Sequence, residues 1–161
     1  MTTFTDTEGR SWTVQVTVDA IRRVRDLTGV NLAVEATGGD LFERLAADPV
    51  LLCDILYGLV KPEADKASVS DEDFGRAMAG DAIDCATEAL LEELVAFFPQ
   101  SQRQVLKKAL AKLEKFEVRA VEFAMRRLDD PALDAKFEAA LEKVGDSSGG
   151  LLESSGSTLV H

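Results

Sequence analysis

The chain of 161 residues is short of the side chains on which most enzymatic chemistry depends: one His, two Cys, one Trp and one Tyr. Enzymes that move protons near neutral pH most often use histidine, whose ordinary pKa lies in the working range. The single histidine here is His161, the last residue, which removes His-based triads, zinc proteases and helical di-iron centres of the Glu-x-x-His kind. Cys53 and Cys85 stand far apart in no CxxC or Cys/His cluster. They therefore make neither a zinc site nor a redox motif, and read as small core residues of a reducing compartment. Phosphate-cradling GxxxxGK[ST] and GxGxxG segments are absent. The longest apolar run, Val50 to Val60, is interrupted by Asp54 and has about half the length needed to span a bilayer. The polar opening, Met1 to Arg10, lacks the layout of a secretory signal. Together these absences predict a soluble cytosolic protein with no catalytic residues, no metal and no cofactor.

What is present is ordinary globular composition, 46% apolar and 29% charged, with an excess of acid. Lys plus Arg number 18 against 29 Asp plus Glu, a net charge of -11. That field disfavours nucleic acid and anionic membranes as partners. The charge is uneven. Residues 31–99 hold 4 basic against 15 acidic side chains, and residues 100–127 hold 8 against 3. The pattern is that of a dipolar body with an acidic middle and one basic helix.

Periodicity predicts a mainly α protein with a short N-terminal β-hairpin. Trp12, Val14, Val16 and Val18 alternate with polar residues, and Asp6 to Arg10 carries a turn signal with Gly9. From Asp19 the period becomes helical, with Ile21, Val24 and Leu27 on one face and Gly29 positioned to close the helix. Val30, Leu32 and Val34 alternate as a short third strand would. Asp40 is placed to cap a short helix, and Asp48 with Pro49 opens a longer one whose apolar residues, Val50 to Val60, mark it as the central buried element. Ser70 and Asp73 resemble a capping box, Gly80 is a break, and Asp81 is placed to cap a helix running to Phe98. After Pro99 a long helix extends to about Leu128, and so short a connection predicts an antiparallel pair. Asp130 and Pro131 open a last helix that stops before Gly145. The expected organisation is one domain over residues 1–145 and a disordered Ser/Gly-rich tail over residues 146–161.

Acidic clusters carry the remaining chemistry. Asp71, Glu72 and Asp73 occupy a first helical turn, where the helix dipole stabilises negative charge, so capping is the stronger reading than a cation site. Asp81, Asp84, Glu88 and Glu92 form a stripe, read as a solvated face or as the match for a neighbouring basic helix. The helix after Gly80 has no Lys or Arg to meet phosphates, which argues against a DNA-reading helix-turn-helix. Apolar helix surface is more informative. Leu91, Val95 and Phe98 lie beside the Leu90, Leu94 and Phe97 stripe, and Phe116 and Phe123 lie beside the main apolar sector of the long helix. These five residues are the candidate partner-binding positions, as a groove for a partner helix.

The segment FTDTEGRSWTVQVT, the helix DPVLLCDILYGLVKP, the stretch SDEDFGRAMAGDAIDCATEALLEELVAFFP and the Ser/Gly-rich end together resemble small acidic proteins of long-tailed bacteriophage and prophage tail gene clusters, most of all the tail assembly chaperones. The resemblance covers about residues 4 to 145. It implies a function without catalysis: binding the long helical tape measure protein before assembly, keeping its apolar helices soluble and helping to recruit tail tube subunits. Assembly into a homo-oligomer is left open by the sequence. It further implies a frameshifted longer product whose junction falls near Asp146 to His161. The alternatives are a structural virion protein, as a tail or head-tail completion subunit, and a carboxylate-based metal-dependent enzyme using Asp71, Asp73, Asp81 and Asp84.

Overall fold

The computed structural model describes residues 1–38 and 40–148, with side chains to residue 145. It is 76% helical, with eight helices and one two-stranded antiparallel hairpin among the described residues, the mainly α class that the periodicity predicts. The chain divides into two compact units, with the boundary between Leu110 and Ala111.

The first unit begins with β1 (Thr2–Thr5) and β2 (Ser11–Val14), paired so that Thr2 faces Val14 and Phe4 faces Trp12. Strand alternation puts Phe4, Trp12 and Val14 on one buried face. The turn between the strands is built around Asp6. Its carboxylate accepts the backbone N–H groups of Glu8 and Arg10 at 3.0 and 2.9 Å, the Arg10 Nε–H at 2.8 Å and the Trp12 indole N–H at 2.8 Å. Burial pushes this carboxyl up, but the bonds from Trp12 and Arg10 outweigh it and hold the group below its usual range. On the outer edge of β2, Glu63 accepts the Thr13 N–H at 2.8 Å and the Thr13 hydroxyl at 3.2 Å, closing an edge that would otherwise present an unpaired donor.

The expected alternation through Val18 ends early. Thr17 leaves the strand path and its hydroxyl accepts the Ala20 N–H at 3.2 Å, capping α1 (Val18–Thr28), so Val18 becomes an exposed first-turn residue. Ile21 and Val24 are buried, but Leu27 is exposed. Gly29 closes α1 at φ 77° in the left-handed conformation. The third strand expected at Val30 to Val34 is instead α2 (Leu32–Gly38). Asn31 and Glu35 clasp its start, Glu35 accepting the Asn31 N–H at 3.2 Å, and Leu32 and Ala36 are buried four residues apart. Asp40 makes no capping bond at the start of α3 (Leu41–Ala47); it lies 3.9 Å from Arg44 instead.

Asp48 caps α4 (Pro49–Lys66) as expected, accepting from Val50 and Leu51. This helix is the hub of the first unit, touching α1, α3, β2 and the two helices that follow it in the chain. Leu52, Ile55, Leu56, Leu59 and Val60 are buried, whereas Val50 is exposed. Pro62 lies inside α4 and has no N–H for the carbonyl of Gly58, four residues earlier. Arg23 of α1 fills that gap, its Nε–H donating to the Gly58 carbonyl at 3.3 Å. Gly58 also lets α1 approach closely, since a Cβ there would stand 3.0 Å from a Val24 methyl.

Ser70 caps α5 (Asp71–Arg76) through the Asp73 N–H at 3.1 Å. Its Phe74 is fully buried at the centre of an aromatic cluster, 5.4 Å from Trp12, 5.6 Å from Tyr57 and 6.5 Å from Phe4 between ring centroids. The next helix is α6 (Asp81–Phe97), whose cap position is Gly80 at φ 54°; Asp81 is its first helical residue and makes no capping bond, contrary to expectation. α6 lies against β1, and Glu93, the buried acid on that face, accepts from the Thr2 hydroxyl at 3.0 Å and pairs with the Met1 amino group.

α7 (Gln100–Leu128) begins in the first unit. Its first turns hold to that unit through Leu106, which is buried, and Leu110, which is partly buried against the core. Arg103 donates to the carbonyls of Ala96 and Phe98 at 3.0 and 3.1 Å, satisfying the end of α6. Up to Leu110, α7 and α6 do not form the closely packed antiparallel pair that the short Pro99 connection suggests.

The second unit contains the remainder of α7 and α8 (Pro131–Ser148). Asp130 caps α8, its carboxylate accepting the Ala132 N–H at 2.9 Å. The helix continues through Gly145 to Ser148, past the expected stop. The rest of the expected tail lies outside the described residues. Within the second unit α7 and α8 do not pack side by side.

Candidate functional site

The carboxylates weighed as a catalytic or metal set are placed separately. Asp71 and Asp73 are exposed in the first turn of α5, with Arg76 2.6 Å from Asp73 and 3.5 Å from Glu72. Asp81 and Asp84 are exposed at the start of α6. Asp54 has its carboxyl raised by partial burial and by the neighbouring charges of Asp71 and Asp48, a mark of local crowding by like charge. Among the described residues no group of three or more His, Cys, Asp or Glu is arranged to hold a metal ion. Cys53 is half-buried and its thiol is pushed up by burial and by Asp54, which makes it a poor nucleophile. Cys85 is exposed on α6. No helix among the described residues is long and apolar enough to cross a membrane.

The five candidate partner-binding residues fall into three environments. Val95 and Phe98 are buried in the core of the first unit, with the Phe98 ring 5.4 Å from Phe97 in a T-shaped contact. Leu91 is half-buried. Phe116 and Phe123 on α7 are 65% and 62% exposed. The acidic stripe of Asp81, Asp84, Glu88 and Glu92 is exposed along α6, with Glu92 accepting from the Thr2 hydroxyl at 3.2 Å.

Phe116 and Phe123 belong to a larger surface. From residue 111 to residue 145 no side chain is buried, and only Leu113 and Leu133 are half-buried. On α8, Phe137 and Leu141 are 61% and 71% exposed. Arg127 lies over the Phe123 ring at 6.0 Å, a cation-π contact that leaves the ring edge open. Both helices are amphipathic, so these residues form apolar stripes rather than scattered points. The signal for α8 was present in the sequence as the spacing of Leu133, Phe137 and Ala140, four and three apart, which is the seam of a helix that meets another helix. No protein-family model, characterised protein or solved structure matches the chain.

Proposed function

We propose that the protein is a bacteriophage or prophage tail assembly chaperone, acting without catalysis in the cytoplasm of the host by binding the helical tape measure protein before tails assemble. The observation that carries this reading is the exposed apolar surface of α7 and α8 in the second unit, represented by Phe116, Phe123, Phe137 and Leu141. Contiguous apolar surface on a folded protein marks an interaction site. Helical stripes with side chains three and four residues apart fit an amphipathic helix laid along them. The resemblance of the chain to tail-cluster proteins supplies the identity of the client and, with it, the recruitment of tail tube subunits.

In this reading Phe116 and Phe123 carry the client contact, and Val95 and Phe98 support it only by holding the first unit together. The acidic first unit supplies the net charge that keeps such a complex dispersed. Co-expression with the tape measure gene tests the proposal. The tape measure protein is expected to shift into the soluble fraction when this chain is present, and to lose that benefit with Phe116→Asp and Phe123→Asp together. An unchanged soluble fraction with and without the chain would end it.

A further inference from the structure

The charges along the edges of the two exposed helices say what fits them. Around α7, the apolar sector of residues 111–128 is flanked on one side by Lys112, Arg119 and Arg126, seven residues apart and so in one row, directly beside Phe116 and Phe123. The other flank carries Glu114 with Val118 and Met125, and Glu117 and Arg127 lie within the sector. α8 has the same handed layout with the same signs. Around Leu133, Phe137 and Ala140, the flank that corresponds to Glu114 carries Asp134 and Glu138, and the flank that corresponds to the α7 basic row carries Lys136 and Lys143. Residues 111–128 hold five cations against three anions, and residues 131–148 hold two against four.

Two helices packed antiparallel bring corresponding flanks together, whereas two packed parallel bring opposite flanks together, as the e and g positions of a parallel coiled coil do. An antiparallel pairing of α7 with α8 therefore sets Lys112, Arg119 and Arg126 against Lys136 and Lys143, and Glu114 against Asp134 and Glu138. The two-residue connection Asp129 and Asp130 lets one chain lay its own helices side by side only in that antiparallel sense. Like charges on both flanks oppose it, in keeping with two helices that lie unpacked. A parallel pairing sets the α7 basic row against Asp134 and Glu138, and Lys136 and Lys143 against the flank that carries Glu114, and only another copy can supply the second helix.

We propose that α8 of a second copy packs parallel along α7, covering Phe116 and Phe123 with Phe137 and Leu141 and matching the Lys112, Arg119 and Arg126 row to Asp134 and Glu138. The contact is heterologous: each copy offers α7 to one neighbour and α8 to another, so copies join head to tail. The proposal concerns the protein alone, in the absence of any client. It rests on the same surface as the chaperone reading, but self-association and client solubility are measured separately and fail separately.

Sedimentation velocity of the whole chain over a range of concentrations tests it. The wild-type protein is expected to exceed monomer mass, increasingly with concentration. Lys112→Glu with Arg119→Glu reverses the α7 row, and Asp134→Lys with Glu138→Lys reverses the α8 row. Each double variant alone sets like charge against like and is expected to weaken association roughly tenfold, with helical content by circular dichroism unchanged because all four sites are exposed. An equimolar mixture of the two double variants is expected to recover association, since each then meets its complement on the other. A monomeric wild type, double variants that associate as the wild type does, or a mixture that stays as weak as its components would each overturn the proposal.

Discussion

Residues 1–110 and residues 111–145 are both built largely from amphipathic helices, yet among the described side chains one set has a core and the other has none. In the first unit the elements are short, and side chains reaching between them fix their positions: Asp6 gathers its turn, Glu63 closes the β2 edge, Arg23 completes α4, and Arg103 finishes α6. The apolar faces so placed bury one another around Phe74 and Trp12. In the second unit the helices also carry large apolar side chains, but α7 and α8 have flanks that repel in the only side-by-side arrangement a two-residue connection permits. An apolar face becomes core when the chain can present a second face to it. Where the chain cannot, the face is left for another molecule.

The sharpest way to break this contrast is to remove the centre of the first unit. Phe74→Ala deletes a fully buried ring with three aromatic neighbours. It is expected to cost about 3–5 kcal/mol, read as a lowered midpoint in urea unfolding. A loss below about 0.5 kcal/mol, within the range of ordinary surface substitutions, would show that the cluster is not the organising core.

Asp6→Asn comes next. It removes the charge that accepts four hydrogen bonds and leaves an amide that presents donors to other donors. The expected cost is about 2–3 kcal/mol. The pH dependence has a definite sign. The carboxyl is held below its ordinary value in the folded state, so its contribution is complete above the unfolded pKa of about 3.9 and is lost as pH falls through the lower, folded value. Wild-type stability is therefore expected to drop on acidification below about pH 4, and Asp6→Asn to lack that share of the drop. Parallel pH titrations of the urea midpoint check it.

A smaller effect tests the stitching between helices. Arg23→Ala leaves the Gly58 carbonyl without its donor and is expected to cost about 1 kcal/mol. In a Pro62→Ala background the restored N–H serves that carbonyl, so the same substitution is expected to cost less. The cycle of single and double variants isolates this coupling from the Arg23 to Asp19 ion pair, which is present in both backgrounds. Equal costs in the two backgrounds would remove Arg23 from the repair of the proline break.

Local chemistry was the legible part of the sequence. Gly29, the Asp48 and Pro49 pair, and Ser70 act within a few residues, and each does what its type predicts. Val30, Leu32 and Val34 fit a strand and a helix equally over so few residues, and the Asn31 to Glu35 clasp decided for helix. Thr17 took the cap that ended the Trp12 to Val18 alternation, and Gly80 took the position expected of Asp81. The partner residues divided for a tertiary reason: which face of α6 meets β1 cannot be read from α6, so the burial of Val95 and Phe98 was not legible, whereas Phe116 and Phe123 lie on α7 beyond Leu110, where no described side chain is buried. Asp6 carried a readable signal as the first residue of a turn, but its bond to Trp12 depends on the strand pairing.

The smallest expected change in stability is the one that separates the two regions most cleanly. Phe123→Ala removes a ring comparable in size to Phe74 from a helix, but from a position 62% exposed. Truncation there opens no cavity, and alanine favours the helix by a few tenths of a kcal/mol over phenylalanine. The urea midpoint of the isolated protein at low concentration is therefore expected to move by no more than about 0.5 kcal/mol in either direction. Association between copies should weaken in the same variant, because the ring then gives up burial that only a partner provides. A loss of stability like that of Phe74→Ala under dilute conditions would place Phe123 in a core of its own chain, and the distinction between the two units would fall with it.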